Sequence, residues 1–342
     1  MGRRFEPDGA HRCDWGITLT STMSRVYLVH SGAIPGYLVG SALQAHLTNP
    51  RGTVVLLTDV AIEEIPAVLV GRITISPLTD YFAGAKSFAT IYSHRGKNSL
   101  AYELLNFQRW FIVLEHLERH PPTGPIMYCD SDAFVYLPVS DVAASMATAM
   151  SVCSEVGPQF TVFTSVQALH EYCAFITSAY SSPQALEEIQ GFVEVHRSAG
   201  VPHISDMATL GVYAERHQLD DLGNPGRHDF VFDENIGAPQ EGLKLGLLGK
   251  KIRTRNGTKH FIRPSGHEVI AGGVHLQGGN KTLWPLFVSV PVLLLLAREE
   301  PRLLAQALLQ ALKKACRIVF LRAGQRIRIT LRQFRTQGRL RG

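Results

Sequence analysis

The chain has no apolar run long enough to cross a bilayer as one helix. Its longest, Trp284 to Ala297, is fourteen residues and contains Pro285 and Pro291, against the roughly twenty that a span needs. It reads as a core or interfacial segment. The opening residues, MGRRFEPDGAHRCDWG, hold no hydrophobic stretch of the kind found in a secretory signal. Glu6 and Pro7 stand where a myristoylation motif beginning at Gly2 wants Ser or Thr. Cysteine is sparse. Cys13, Cys129, Cys153, Cys173 and Cys316 are scattered and odd in number, with no CxxC and no Cys/His cluster. That argues against a structural zinc site and for free thiols in a reducing, cytoplasmic compartment. Charge is also modest, at 18% of the 342 residues, where a quarter is usual.

Acidic residues are missing from one end in particular. From Arg302 to Gly342 there are eleven Lys or Arg and no Asp or Glu. Residues 1–301 carry 23 basic and 29 acidic side chains, a net of −6, so the overall +5 comes from the tail. Such asymmetry points to an anionic surface as partner. Between Arg302 and Arg322, Arg302, Gln306, Gln310, Lys313, Lys314 and Arg317 share one helical face, and Leu304, Leu308, Leu312, Ala315 and Val319 the other. That is a basic amphipathic helix, the form that lies in a membrane interface. The plain alternative is a helix packed on the rest of the protein. Nucleic acid fits less well, because Phe334 is the one aromatic residue after Phe320 and single-strand binding needs stacking platforms.

The apolar fraction of 45% is ordinary for a chain with a sizeable core. Residues 1–23 are polar and aperiodic and read as a disordered leader. Thereafter short apolar runs alternate with helical periodicity. VYLVH (26–30), TVVLLTD (53–59) and ITIS (73–76) read as buried parallel strands, with helices over 36–47 and 61–70. Leu100, Leu104, Phe107, Phe111, Leu114 and Leu117 predict a helix over 98–120, closed by Pro121-Pro122. PIMYCDSDAFVYLP (125–138) is a strand broken at Asp130, and 160–165 is another. Helices follow near 166–180 and 183–197, and one from 206 to about 217. Strands follow over 229–237, 259–264 and 269–281, the last entering a Gly-rich loop. The alternation predicts an α/β fold, a doubly wound and mostly parallel sheet with a basic helical tail. Ligands in such sheets bind at the carboxyl ends of strands.

Two strand ends there carry chemistry. IMYC runs straight into Asp130-Ser131-Asp132. Two carboxylates beside a core strand are costly unless something neutralises them. In extended chain, residues two apart point the same way, so both could face one hard cation, Mg2+ or Mn2+. A surface turn is the plain alternative. The second strand runs into His275-Leu276-Gln277-Gly278-Gly279-Asn280-Lys281. His275 can supply a third metal ligand, the glycines let backbone approach a phosphate, and Lys281 brings a point charge.

These two motifs together resemble the DxD-containing, A-type-fold glycosyltransferases that use nucleotide sugars, most closely the glycogenin-like and lipopolysaccharide-galactosyltransferase-like retaining families. Those families pair a DxD with a C-terminal HxxGxxKPW. The matches are Asp130 and Asp132, then His275, Gly278 and Lys281, while Trp284-Pro285 lies later and in reversed order. The resemblance covers residues 24–286. It implies a catalytic domain over those residues, and the sequence beyond them reads as an apolar then basic tail over 287–342. It implies a divalent metal on Asp130, Asp132 and His275, and a nucleotide-diphosphate sugar whose diphosphate meets Lys281 and Gly278. It further implies nucleoside contacts from His30, Ser31 and Asp59, and a glycan or lipid-linked acceptor. An acidic residue at a helix start facing the acceptor is implied as well, and Asp206 stands in that place, where Ser205-Asp206 would otherwise be an ordinary N-cap. Arg109 could reach a phosphate from its helix, or simply be solvated. A sugar-1-phosphate nucleotidyltransferase is the second reading, but SGAIPGYL after the first strand lacks the cation it needs. A non-catalytic glycan-binding protein on the same fold is the third.

Overall fold

A computed structural model describes residues 23–154, 156–197 and 203–339, with side chains as far as Leu321. Apart from Met23, the leader expected over 1–23 lies outside the described residues, as do the side chains of the last part of the tail. The described residues open with β1 (Arg25–His30), α1 (Gly36–Thr48), β2 (Thr53–Thr58), β3 (Thr74–Pro77), α2 (Ala83–Ala89) and α3 (Leu100–Arg119). Next come β4 (Ile126–Cys129), β5 (Ala133–Val135), α4 (Val139–Ala144), β6 (Met150–Val152), β7 (Phe160–Phe163), α5 (Val166–Ser181), α6 (Pro183–His196) and α7 (Asp206–Arg216). The remainder is β8 (Asp220–Asp221), β9 (Phe230–Phe232), β10 (Ile252–Arg255), β11 (Thr258–Ile262), β12 (Glu268–His275), α8 (Val290–Glu299) and α9 (Pro301–Arg339).

The larger sheet runs β3-β2-β1-β4-β7-β6-β8. Its β3-β2, β2-β1, β1-β4 and β6-β8 pairs are parallel, and β7 is antiparallel to both β4 and β6. The doubly wound, mostly parallel sheet expected from the alternation is present. The strands read as unbroken apolar runs because both faces are covered. Val26, Leu28, Val54, Leu56, Met127 and Cys129 join one core layer, which also holds residues of α1, α8 and α9. Their alternates Tyr27, Val29, Val55, Leu57, Ile126 and Tyr128 join the other, with α2, α3 and α5 to α7. The smaller sheet runs β10-β11-β12-β5, with β9 also on β12.

Several sequence expectations are corrected. The helix expected over 61–70 is a 3-10 turn at Ile62–Glu64 followed by a second turn over Pro66–Val70. Pro66 has no N–H and clashes with a preceding helical turn, which divides the segment. The strand expected over 125–138 is two strands in different sheets, β4 and β5. The apolar run from Trp284 is also divided: a 3-10 stretch, Gly278–Leu286, meets α8 at 88°. No single helix among the described residues is long and apolar enough to cross a membrane. The short elements α2, α4, β6, β8 and β10 fall in stretches without clear periodicity. The helix expected over 98–120 is α3, started by the Ser99 side chain, which accepts from the Tyr102 N–H.

A candidate metal and diphosphate site between two sheets

β1 is flanked by β2, which follows it, and by β4, which comes much later. The order of winding reverses there, and such a reversal is where doubly wound sheets bind ligands. Asp130 leaves β4 at that reversal.

Asp130, Ser131 and Asp132 form the turn that carries the chain from the larger sheet to the smaller one. The Ala133 N–H closes it on the Asp130 carbonyl at 3.0 Å. The carboxylates therefore converge through a turn and not through the extended chain expected from the sequence. Backbone bonds fix the turn from both sides: the Asp130 N–H donates to Gln159 O at 3.1 Å, and the Leu276 N–H to Asp132 O at 3.0 Å. The antiparallel register of β5 with β12 pairs Ala133 with His275. That register brings His275 beside Asp132 across 143 positions of sequence.

His275 Nε2 lies 3.4 Å from Asp132 Oδ1 and 3.9 Å from Asp130 Oδ2. Its Nδ1 is 2.7 Å from the carbonyl oxygen of Glu234. A carbonyl only accepts, so Nδ1 carries the hydrogen and Nε2 faces the carboxylates. One ligand atom from each of Asp130, Asp132 and His275 lies within 4.8 Å of the others. Ligands of one small divalent ion at about 2.1 Å stand no more than about 4.2 Å apart. Asp130, Asp132 and His275 are thus grouped closely enough to be candidate ligands of one ion. Two carboxylates and an imidazole form a donor set that could hold a divalent ion.

Buried side chains hold the trio in place. Behind Asp130, the Arg109 guanidinium on α3 donates from Nη1 to Asp130 Oδ1 at 2.8 Å and from Nη2 to Asp206 Oδ2 at 2.6 Å. The Tyr128 hydroxyl donates to the same Asp130 oxygen at 2.9 Å and accepts from Arg109 at 3.0 Å. Oδ1 of Asp130 is thus occupied by donors, and Oδ2 faces His275. Behind His275, the Asp233 Oδ2 accepts the His275 backbone N–H at 3.1 Å. Lys250 Nζ reaches Asp233 Oδ1 at 2.5 Å and Asn235 O at 2.6 Å, with both side chains of the pair fully buried. This pair anchors the loop whose Glu234 carbonyl sets the imidazole tautomer.

The Gly-rich loop closes the other side. Gly278 has φ +61°, a left-handed conformation that favours glycine, and an added Cβ there would meet open space. The loop is seated by Trp284, whose ring lies so close to α1 that a Cβ on Gly40 would stand 2.6 Å from it. Lys281 Nζ lies 3.0 Å from Asp132 Oδ2 and 5.0 Å from the centre of the Tyr37 ring.

Charge and burial shape these groups. Burial raises the Asp132 carboxyl, but the hydrogen bond and charge of His275, then Lys281, outweigh it and hold the group below its usual range. Burial pulls His275 down, yet Asp132 and Asp130 bring it up to about 9. Lys281 is also raised, its burial outweighed by Asp132. Burial pushes Asp206 up to about 6 despite Arg109, with Asp130 and Glu103 adding to the rise.

The residues singled out in the sequence thus fall into two groups. Asp130, Asp132, His275, Lys281, Arg109 and Asp206 form one connected network. At the ends of β1 and β2, Ser31 Oγ donates to Asp59 Oδ2 at 2.5 Å and the Gly32 N–H to Asp59 Oδ1 at 2.8 Å. His30 Nε2 turns back to Ala33 O at 3.0 Å. Two expectations change. Arg109 is 6% exposed and bridges two carboxylates, so neither the solvated helix face nor a free phosphate-binding arm describes it. Asp206 is 5% exposed and paired with Arg109, so it faces that cation and not an open acceptor site; the capping oxygen is Ser205 Oγ, which accepts from the Ala208 N–H. Tyr128, Asp233, Glu234 and Lys250 escape the sequence reading. One signal was there: FVF runs into Asp233 as IMYC runs into Asp130.

No family model and no curated protein matches the chain. Among solved structures it is similar to mouse xyloside xylosyltransferase 1, with a TM-score of 0.42 and 8% identity over 62% of this chain and 87% of that one. It is similar to the galactosyltransferase LgtC in complex with donor and acceptor sugar analogues, with 0.32 and 12% over 55% and 70%. It is also similar to the glycosyltransferase GlyE of Streptococcus pneumoniae TIGR4, with 0.30 and 13% over 59% and 45%. Likeness of this size is likeness of fold at most.

Proposed function

We propose that this chain is a metal-dependent glycosyltransferase, moving a hexose with retention from a nucleotide-diphosphate sugar to a glycan or lipid-linked acceptor. One observation carries the reading. Two carboxylates, an imidazole with Nε2 turned toward them and a lysine ammonium converge where a doubly wound sheet reverses its winding. In this reading residues 24–286 are the catalytic domain and 287–342 an appended tail.

Asp130, Asp132 and His275 would hold the divalent ion, which when bound neutralises a diphosphate and the charge that grows on it as the sugar leaves. Lys281, now paired with Asp132, exchanges that partner for a phosphate oxygen. Gly278 leaves the loop backbone accessible to the same diphosphate. Asp59 orders the turn through Ser31 and Gly32, against which the nucleoside packs, with His30 beside it. Arg109 is a positioning residue: it keeps Oδ1 of Asp130 engaged so that Oδ2 turns inward. Asp206 holds Arg109 from behind. An inverting transferase needs a carboxylate base at the acceptor hydroxyl. Asp130, Asp132 and Asp206 are each committed to a cation or to the metal trio, and the retaining part of the reading rests on the resemblance of the two motifs.

The test is a panel of nucleotide-diphosphate sugars with Mn2+, read by thermal shift and by release of nucleoside diphosphate. A ligand at a hundred times its Kd adds about 2.7 kcal/mol of stability. The expected result is one stabilising donor whose turnover stops in EDTA. Equal turnover with EDTA overturns the metal role. Consumption of a nucleoside triphosphate with a sugar phosphate would point to a nucleotidyltransferase.

A further inference from the structure

We infer that the outward side of α9, with α8 beside it, is a docking surface for an anionic lipid bilayer. At 100° per residue, the described side chains of α9 fall into three sectors. The first faces the protein: Leu304, Ala307 and Ala311 are buried. The second is apolar and uncovered. Leu308, Leu309, Leu312, Val319 and Phe320 are 45%, 52%, 61%, 46% and 76% exposed. The third, adjoining it, holds Arg302, Gln306, Gln310, Lys313 and Arg317, all exposed. On α8, Val290 and Leu294 are exposed by 66% and 65%. A monomer's surface rarely leaves so many large apolar side chains uncovered along one helix.

The charge pattern selects the occupant. None of Arg302, Lys313 and Arg317 is in an ion pair among the described residues, and the chain from Arg302 onward contains no acidic residue. An apolar strip bordered by cations that have no acid of their own is complementary to acyl chains beneath anionic headgroups. The strip spans Leu308 to Phe320, about 18 Å of helix, a length suited to a flat partner. The structure adds what the sequence pattern could not. One side of the helix packs on the protein and a different side stays free, so the tail need not leave the body to dock. Leu303 also lies 3.6 Å from where a Cβ on Gly36 would stand, and Lys314 Nζ 3.2 Å from one on Gly279, in the loop that carries Lys281. A bilayer on the free side of α9 is separated from that loop by the width of the helix, roughly 10 Å. A lipid-linked acceptor in the plane of the membrane follows from this only together with the glycosyltransferase reading; the docking itself does not depend on it.

The test is co-sedimentation of the full chain with vesicles of equal parts phosphatidylcholine and phosphatidylserine, and with phosphatidylcholine alone. Leu308→Glu/Leu312→Glu removes the apolar strip and Lys313→Glu/Arg317→Glu removes charge. All four side chains are exposed, so thermal melts should match the parent. Binding to the anionic vesicles is expected, reversed by salt, and about tenfold or more weaker in each variant. Equal pelleting of parent and variants, or no preference for anionic vesicles, overturns the inference. So does a stable dimer in light scattering that both variants convert to monomer, since a second copy would then cover the strip. Failure of vesicle binding beside intact, metal-dependent donor turnover would remove this surface and leave the catalytic reading untouched.

Discussion

Arg109 and Lys250 are both buried cations behind the candidate metal trio, one on the larger sheet's side and one on the smaller's. They act on it differently. Arg109 bonds directly to a carboxylate of the trio, with half of its guanidinium on Asp130 and half on Asp206. Lys250 touches no member of the trio. It clamps Asp233 and the Asn235 carbonyl, and through that loop fixes the backbone and ring of His275. The larger sheet thus sets the charge around the candidate trio, and the smaller sheet sets the direction of its imidazole nitrogen. Asp130 and Asp132 span the seam.

The most severe way to break this arrangement is at the seam. Asp132→Ala is expected to abolish Mn2+ binding in calorimetry and to lower turnover about a thousandfold or more. A variant that still binds Mn2+ with the parent's affinity would remove Asp132 from the trio. Next are the two cations, compared directly. Lys250→Met leaves the fully buried Asp233 without its partner, at an expected cost of about 3–5 kcal/mol in denaturant unfolding. The double variant Lys250→Met/Asp233→Asn should recover most of that stability, with metal affinity still about ten- to a hundredfold down because the support of His275 is weakened. Arg109→Met should show the opposite balance. Arg109 bonds a carboxylate of the trio directly and Lys250 does not, so turnover falls more for each unit of stability lost. Equal ratios of stability loss to turnover loss in the two single variants would break the comparison.

A gentler probe is pH. In the metal-free protein His275 sits at about 9 against an ordinary 6.5. Below 9 the imidazolium must shed a proton before Nε2 can bind an ion, so Mn2+ affinity should rise about tenfold per unit as pH approaches that value. The same shift makes its pairing with Asp132 and Asp130 a stabilising contribution in EDTA-treated protein. That contribution is fully present below 6.5 and lost as pH rises through about 9. Calorimetric titrations and melts across that window check both signs. A flat Mn2+ affinity would mean that His275 is not a ligand. The smallest effect is expected at Lys281, which is partly exposed. Lys281→Ala should change stability by about 1 kcal/mol or less while raising the donor KM severalfold. An unchanged donor KM and turnover would remove its phosphate role.

How much of this the sequence carries differs residue by residue. Asp130 and Asp132 are legible because charge directly after an apolar strand is expensive and demands a reason. Lys250 reads as one more lysine in GLLGKK, since its burial depends on β9 and β12 meeting elsewhere in the chain. Arg109 resembles any polar position on an amphipathic helix. Its side chain proves buried only because two carboxylates, from β4 and the start of α7, reach it. Glu234 acts through its carbonyl, which every residue has, so no sequence pattern could single it out.

By itself, the amino-acid order determined what local physics can enforce: buried strands from unbroken apolar runs, the long α3 from its stripe and caps, and acids and a histidine at strand ends. It also determined a tail rich in cations and free of acids. Tertiary structure decided that β4 and β5 part into different sheets, that a turn and not a pleat brings the carboxylates together, and which face of α9 is left uncovered. Each of these rests on pairing between segments far apart in the chain, where register, burial and shared partners are set by the whole packing and not by neighbours in sequence.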